Sequence, residues 1–140
     1  FFMNETPTIE ISKLDHISIA VPDLELASKF YRETFNCEVS DPIDIPVQKM
    51  RIAYVSLSNV KIELMEPTAE DSVLANYLER NPSGGIHHFC LATPNTETAA
   101  STAKLKNIRI ISEGLSHDKK ALFFMHPKDS LGCLIEIEEN

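Results

Sequence analysis

The sequence predicts an α+β fold made of two βαβββ modules, whose strands form a curved mixed β-sheet with the helices outside. The first observation behind this prediction is an internal repeat: the segment that begins at His16 recurs, in altered form, 72 residues later at His88. The second is that the Ile-Glu-Leu around Glu63 recurs as Ile-Glu-Ile around Glu136, 73 residues later. Each half therefore carries one histidine and one glutamate in matching places.

The first strand of each module is predicted by alternation. Residues 14 to 21 alternate with period two, and one face carries His16, Ser18 and Ala20. The second copy carries His88, Cys90 and Ala92 on the matching face. Small residues beside a histidine leave space for a cavity, whereas a face meant only for packing is normally filled with bulky side chains. The same parity turns His87 away from His88, towards the helices.

A helix follows each of these strands. Asp23 is a suitable N-cap for a helix through about Phe35, and the Pro-Asn pair at 94–95 begins a second helix through about Lys106. In that second helix we expect three residues to face inward: Ala99, Ala103 and Leu105. Ser72 predicts the cap of a short linker helix, with four apolar residues on one side: Val73, Leu74, Tyr77 and Leu78.

Three further strands are predicted in each half, at 37–39, 51–57 and 61–65 and at 109–112, 121–125 and 133–138. The expected domain organisation is an N-terminal extension (1–13), a first module (14–67), a linker helix (68–85) and a second module (86–140). Residues 4–13 of the extension are polar, and we expect them to be loosely held. The two modules are expected to form one domain over residues 14–138.

Composition limits the partners. A net charge of −8 argues against nucleic acid and anionic membrane surfaces as ligands, and no apolar run approaches the roughly 20 residues that span a bilayer. Three cysteines in unsuitable spacing predict neither a thiolate zinc site nor a disulfide framework, so we expect a reducing compartment. This is the cytoplasm, or the mitochondrial matrix in a eukaryote. Sheet edges and apolar helix faces favour a homodimer.

The repeated histidines and glutamates suggest a metal. Each glutamate lies between apolar neighbours in a strand, so its carboxylate points to the opposite face of the sheet. A buried carboxylate is costly unless it is paired or bound to an ion. If the sheet curves around a cavity, two imidazoles and two carboxylates converge there, a set suited to a divalent metal with open positions: His16, Glu63, His88 and Glu136. The alternative is a solvated sheet face on which all four are ordinary surface residues.

These motifs resemble the vicinal oxygen chelate superfamily, which includes glyoxalase I, extradiol dioxygenases and antibiotic-binding resistance proteins. The resemblance runs from Leu14 to about Glu138 and rests on the segment from Leu14 to Leu24, on the Lys-Ile-Glu-Leu of the first half and on the closing Leu-Ile-Glu-Ile. Three more specific pieces are similar to the methylmalonyl-CoA epimerases: Glu66-Pro67, Gly85-Ile86-His87-His88 and His126-Pro127-Lys128.

The resemblance implies one divalent ion, cobalt, zinc, nickel or manganese, bound by the four residues named above. It also implies an acyl-CoA substrate, methylmalonyl-CoA or a related 2-substituted acyl-CoA. Such a substrate is epimerised by transfer of the α-proton through a metal-stabilised enolate. Glu136 would also be a catalytic acid/base. Three residues are expected to bind substrate: Gln48, Lys119 and Lys128.

One position departs from the family pattern. The second acid/base of the family is a glutamate in a Pro-Glu-Gln-Gly segment, and here the matching residue is Val47, which cannot transfer a proton. Asp44 and Lys49 are the nearby titratable residues. Two other readings therefore stay open: a glyoxalase-type metal-dependent isomerase or lyase, and a non-catalytic member that binds a metal or a ligand.

Overall fold

The computed structural model describes residues 6–140. In those residues the chain forms three α-helices and nine strands of a mixed β-sheet. The helices are α1 (Leu24–Phe35), α2 (Val73–Arg80) and α3 (Thr96–Leu105). The strands are β1 (Lys13–Ala20), β2 (Glu38–Val39), β3 (Ile43–Ile45), β4 (Met50–Ser56), β5 (Lys61–Pro67), β6 (Gly85–Thr93), β7 (Ile110–Leu115), β8 (Ala121–Met125) and β9 (Ile135–Glu139).

The chain divides into two compact units. The first unit is Asp15–Phe89, and the second unit joins the residues up to Leu14 with Cys90–Asn140. No helix among residues 6–140 has both the length and the apolar character needed to cross a membrane.

In the first unit, β5 is the strand that carries Glu63, one of the candidate site residues. It pairs in parallel with β1 and antiparallel with β4, while β2 and β3 pair antiparallel with β4. The register sets Glu63 opposite Ser18 on one side and opposite Tyr54 on the other. Directly opposed residues share a sheet face, so these three side chains lie side by side.

The helices of the first unit begin where the sequence predicts. The Asp23 side chain accepts a hydrogen bond from the Leu26 N–H (3.0 Å), and the Ser72 hydroxyl accepts one from the Leu74 N–H (3.2 Å). Behind α1 the buried core is Val21, Leu24, Ala53, Val55 and Leu64. The prediction that Val73 shares the buried side of α2 is wrong. Val73 is 71% exposed, whereas Leu74, about 100° further round the helix, is buried.

In the second unit, β8 pairs antiparallel with β7 and β9, and α3 covers a core of Ala99, Phe123, Met125 and Ile137. Asn95 caps α3 by accepting from the Thr98 N–H (3.0 Å). The inward placement of Ala99 and Ala103 is confirmed, but that of Leu105 is wrong, because it is 72% exposed. Position 105 follows position 103 by about 200° of helical rotation and so faces away from the core.

The N-terminal segment is not loosely held, in contrast to the expectation for residues 4–13. Residues 4 and 5 lie outside the described part of the chain, but Ser12 donates its N–H to the Ala92 carbonyl (2.8 Å). The Thr93 hydroxyl donates to the Glu10 carbonyl (2.7 Å), and Ile9 packs against the core of the second unit. Alternating Ile9 and Ile11 supply the apolar side of this extended segment.

One short strand was not predicted from the sequence pattern. The segment 43–45 forms β3, and a 3-10 helix follows over Pro46–Gln48. The flanking prolines at 42 and 46 gave this region the composition of a loop, and three residues are too few to show an alternation.

Phe123 is a direct test of the core of the second unit. It is 2% exposed, so Phe123→Ala removes a large buried side chain and leaves a cavity. We expect the free energy of unfolding to fall by about 3 to 5 kcal/mol in urea denaturation. Leu131→Ala is the control, because Leu131 is 100% exposed and its truncation should change stability by no more than about 0.5 kcal/mol. Equal effects of the two substitutions would contradict this core.

Candidate metal centre

His16 and Glu63 lie together in the first unit. His16 is 4% exposed, and its Nε2 lies 3.7 Å from Oε1 of Glu63. The strand register produces this proximity, since His16 precedes Ser18 by two residues and so shares the sheet face on which Ser18 meets Glu63. An imidazole nitrogen and a carboxylate oxygen thus approach each other in a largely buried position.

The Glu63 carboxylate is held by two hydroxyl groups. Ser18 Oγ donates to Oε1 at 2.6 Å, and the Tyr54 hydroxyl donates to Oε2 at 3.4 Å. Lys61 Nζ stands 5.0 Å from the centroid of the Tyr54 ring. These hydrogen bonds offset part of the cost of removing the carboxylate from water and fix its orientation.

The other nitrogen of the His16 ring is also bonded. His16 Nδ1 donates to Oδ2 of Asp15 at 2.8 Å, and Lys61 Nζ lies 3.9 Å from the same oxygen. A proton on Nδ1 leaves the lone pair on Nε2, the nitrogen that faces Glu63. The ring therefore presents a ligand atom to the side where the carboxylate lies.

His88 is the second buried imidazole of the first unit. It is 6% exposed, and its ring centroid lies 6.2 Å from that of His16. The Nδ1 atoms of His87 and His88 are 2.9 Å apart, and His87 also makes an edge-to-face contact with the Tyr77 ring of α2 at 5.1 Å. This contact with a helix is what parity predicted for His87. Burial and, to a lesser degree, the neighbouring His88 lower the pKa of His87 to about 4.

Glu136 lies in the second unit, on β9. It is 5% exposed and stands opposite Phe124 of β8 in the register. This burial argues against the alternative in which Glu136 is an ordinary residue on a solvated sheet face. The structure thus contains candidate metal-ligand residues, His16 and His88 in the first unit and Glu136 in the second.

The residues of the first unit fit a divalent ion by their chemistry. Two imidazoles and a carboxylate are donors that first-row divalent metals accept. Each histidine has its Nδ1 engaged with the preceding residue, so Nε2 can serve as the ligand atom where the proton is on Nδ1. Metal-binding histidines commonly have such a hydrogen bond on their other nitrogen.

The expected substrate residues lie on exposed segments. Gln48 is in the 3-10 helix after β3, and Lys128 is in a second 3-10 helix over Pro127–Asp129. Lys119 lies in the turn between β7 and β8, in a left-handed backbone conformation with φ of 65°. Their role in binding substrate stays a prediction.

Val47 and its titratable neighbours are also at the surface. Val47 is 91% exposed on the first 3-10 helix. Lys49 forms an ion pair with Asp71 and thereby lowers the pKa of that carboxyl, and Asp44 lies 3.4 Å from Nε of Arg51. Both alternative acid/base residues are thus engaged in exposed ion pairs.

The sequence pattern did not identify the residues that hydrogen-bond to the candidate ligands: Asp15, Ser18, Tyr54 and His87. The pattern predicts Ser18 only as a small residue that leaves space. The partnership of Ser18 and Tyr54 with Glu63 depends on the pairing of three strands, and an alternation pattern within one strand cannot supply it.

Comparisons with known proteins identify the family and the relatives of this chain. Residues 15–123 match the family model of the glyoxalase/bleomycin resistance protein/dioxygenase superfamily. The chain is 41% identical over 132 residues to the ethylmalonyl-CoA/methylmalonyl-CoA epimerase of Cereibacter sphaeroides, covering 92% of this chain and 98% of that protein.

Solved structures of methylmalonyl-CoA epimerases are also similar to this chain. The methylmalonyl-CoA epimerase of Mycobacterium tuberculosis superposes with a TM-score of 0.86 at 26% identity, covering 97% of this chain and 93% of that one. A variant of the Streptomyces coelicolor methylmalonyl-CoA epimerase, in complex with 2-nitronate-propionyl-CoA, has a TM-score of 0.85 at 29% identity. This match covers 94% of this chain and 99% of that one.

These matches confirm the predicted α+β class with its curved mixed sheet, and they support an epimerase-like enzyme. The chain therefore belongs to the glyoxalase/bleomycin resistance protein/dioxygenase superfamily and, within it, to the methylmalonyl-CoA epimerases.

Proposed function

We propose that this enzyme epimerises C2 of methylmalonyl-CoA, or of a related 2-substituted acyl-CoA, with the help of one divalent metal ion. The observation that carries the proposal is the grouping of two buried histidines, His16 and His88, with the largely buried Glu63 in a chain that matches epimerases over nearly its whole length. The acyl-CoA analogue bound by the Streptomyces coelicolor relative supports the substrate class. The glyoxalase-type alternative has no comparable support, because the named relatives are epimerases.

The proposed ligands are His16, Glu63, His88 and Glu136. Glu136 joins this set because it occupies in the second half of the sequence the position that Glu63 occupies in the first. Two nitrogen and two oxygen donors suit cobalt, zinc, nickel or manganese. When bound, such an ion supplies Lewis-acid stabilisation for negative charge that develops on the thioester oxygen.

The two glutamates have different tasks in this proposal. Glu63 is tied by the Ser18 and Tyr54 hydroxyls and serves as a ligand. Glu136 additionally takes the proton from C2 and returns it, the general acid/base role that the reaction requires. Lys119 and Lys128 offer exposed positive charge for the phosphates of CoA, and Gln48 offers an amide for a polar group of the substrate.

Inversion at C2 requires a proton acceptor on one face of the carbon and a donor on the other. Val47 supplies neither, and Asp44 and Lys49 are each engaged in an exposed ion pair. We therefore propose that Glu136 acts as the only protein acid/base, so that proton exchange at C2 is faster than inversion.

The metal assignment is tested by the metal content of purified protein. We expect one divalent ion per wild-type chain, and strongly reduced content in His16→Ala and Glu63→Ala because each variant removes a donor. Glu70→Ala, at an exposed position, is the control and should keep the ion. An ion that binds only the folded state adds about 2.7 kcal/mol at one hundred times its Kd, so added cobalt should raise the melting temperature of the wild type. Full occupancy in both ligand variants would contradict the assignment.

The role of Val47 is tested by deuterium exchange at C2 of methylmalonyl-CoA, followed by NMR. We expect the metal-loaded wild type to exchange the proton with slow or absent inversion. Val47→Glu should raise the inversion rate, since a general acid/base commonly contributes about 10²- to 10⁴-fold.

The matched controls are Asp44→Asn and Lys49→Met, which should leave both rates near those of the wild type. Loss of turnover in either variant would identify that residue as the second acid/base. Fast wild-type inversion that survives both substitutions would mean that the second acid/base lies elsewhere in the chain.

A further inference from the structure

We infer that Asp15 and His87, the residues immediately before the two ligating histidines, are positioning residues that fix which ring nitrogen of His16 and of His88 carries the proton. The inference rests on the proposed metal centre and extends it to the chain's own hydrogen bonds. Asp15-His16 and His87-His88 are equivalent steps of the internal repeat, and both lie in the first unit.

The Asp15 contact determines the tautomer of His16. An ionised carboxylate can only accept a hydrogen bond, so the 2.8 Å contact requires the proton to be on His16 Nδ1. In the neutral imidazole the lone pair is then on Nε2. That is the nitrogen 3.7 Å from Oε1 of Glu63, so the tautomer directs the donor atom towards the other proposed ligand.

The contact between His87 and His88 permits two arrangements, and only one suits a metal. The two Nδ1 atoms are 2.9 Å apart, so one carries a proton and the other accepts it. If His87 donates, neutral His88 carries its own proton on Nε2 and cannot use that atom as a ligand. If His87 accepts, His88 Nε2 has the lone pair, as His16 Nε2 does.

The surroundings of His87 hold its ring in place. Its edge-to-face contact with Tyr77 is 5.1 Å between centroids, and the Tyr77 hydroxyl donates to the Ile86 carbonyl at 3.1 Å. Gly85 permits this approach, because a Cβ at that position would stand 2.8 Å from the Tyr77 oxygen. Tyr77 is thereby fixed against the segment that carries both histidines.

The two positioning residues differ in charge. A carboxylate that accepts from Nδ1–H stabilises positive charge on the histidine ring. The ring then binds a metal through Nε2 more strongly than it does when the partner of Nδ1–H is a neutral imidazole. Lys61, at 3.9 Å from Asp15, offsets part of that charge. Removal of Asp15 should therefore weaken metal binding at least as much as removal of the His87 acceptor.

The first test reads the tautomers in metal-free protein by long-range ¹⁵N–¹H NMR of the histidine rings at neutral pH. We expect the proton on Nδ1 in both His16 and His88 of the wild type. In His87→Phe, which keeps a ring against Tyr77 but has no acceptor, the His88 proton should move at least partly to Nε2. A wild-type proton on Nε2 of either histidine, or an unchanged His88 in His87→Phe, would overturn the inference.

The second test measures the affinity for Co²⁺ by competition with a chelating indicator. Asp15→Ala and His87→Phe should each weaken binding by about 10- to 100-fold. His87→Asn should restore most of the affinity lost in His87→Phe, because its amide oxygen can accept near the original Nδ1 position. A purely structural role for the ring would instead favour the phenylalanine.

Asp41→Asn is the control for loss of one negative charge, since Asp41 is exposed and outside the site. Melting temperatures of the metal-free variants identify any that fail to fold. Wild-type affinity in both Asp15→Ala and His87→Phe would overturn the inference. Absence of Co²⁺ binding by the wild type would instead overturn the proposed metal centre, and the NMR result would still decide the tautomers.

Discussion

The largely buried carboxylate of Glu63, whose side chain is 12% exposed, is the constraint around which the first unit is arranged. Removal of an ionised carboxylate from water costs on the order of several kcal/mol unless donors replace the water. The donors here come from the strands on both sides of β5, Ser18 from β1 and Tyr54 from β4. Both hydrogen bonds form only when both strand registers hold, so the polar contacts of the site and the pairing of the sheet are interdependent.

The apolar side of the same strands fixes that register. Ala53, Val55 and Leu64 face the buried core under α1, while the intervening residues Tyr54 and Glu63 face the other way. A slip of one residue would exchange the two faces and bury polar groups in the core. Hydrophobic packing against α1 thus determines which side chains can meet at the site, and His16 is among them.

The sequence could predict the features that depend on local patterns, but not those that depend on contacts between distant segments. The α+β class and the N-caps at Asp23 and Ser72 depend on local patterns and were predicted correctly. The donors to Glu63 depend on pairing between strands, which no local pattern contains. The errors at Val73 and Leu105 came from assigning helix faces by composition, without following the rotation of about 100° per residue.

Val47 stands where the family pattern has a glutamate. The surroundings of Val47 indicate that this difference affects the chemistry of the site more than the folding of the chain. Its side chain is 91% exposed, so valine there gains almost nothing from burial. The segment is held without it, because Lys49 pairs with Asp71 and the Lys49 carbonyl accepts from the Thr68 N–H at 2.9 Å. A residue that packing does not require, in a segment anchored by other contacts, can change the course of the reaction while the fold stays the same.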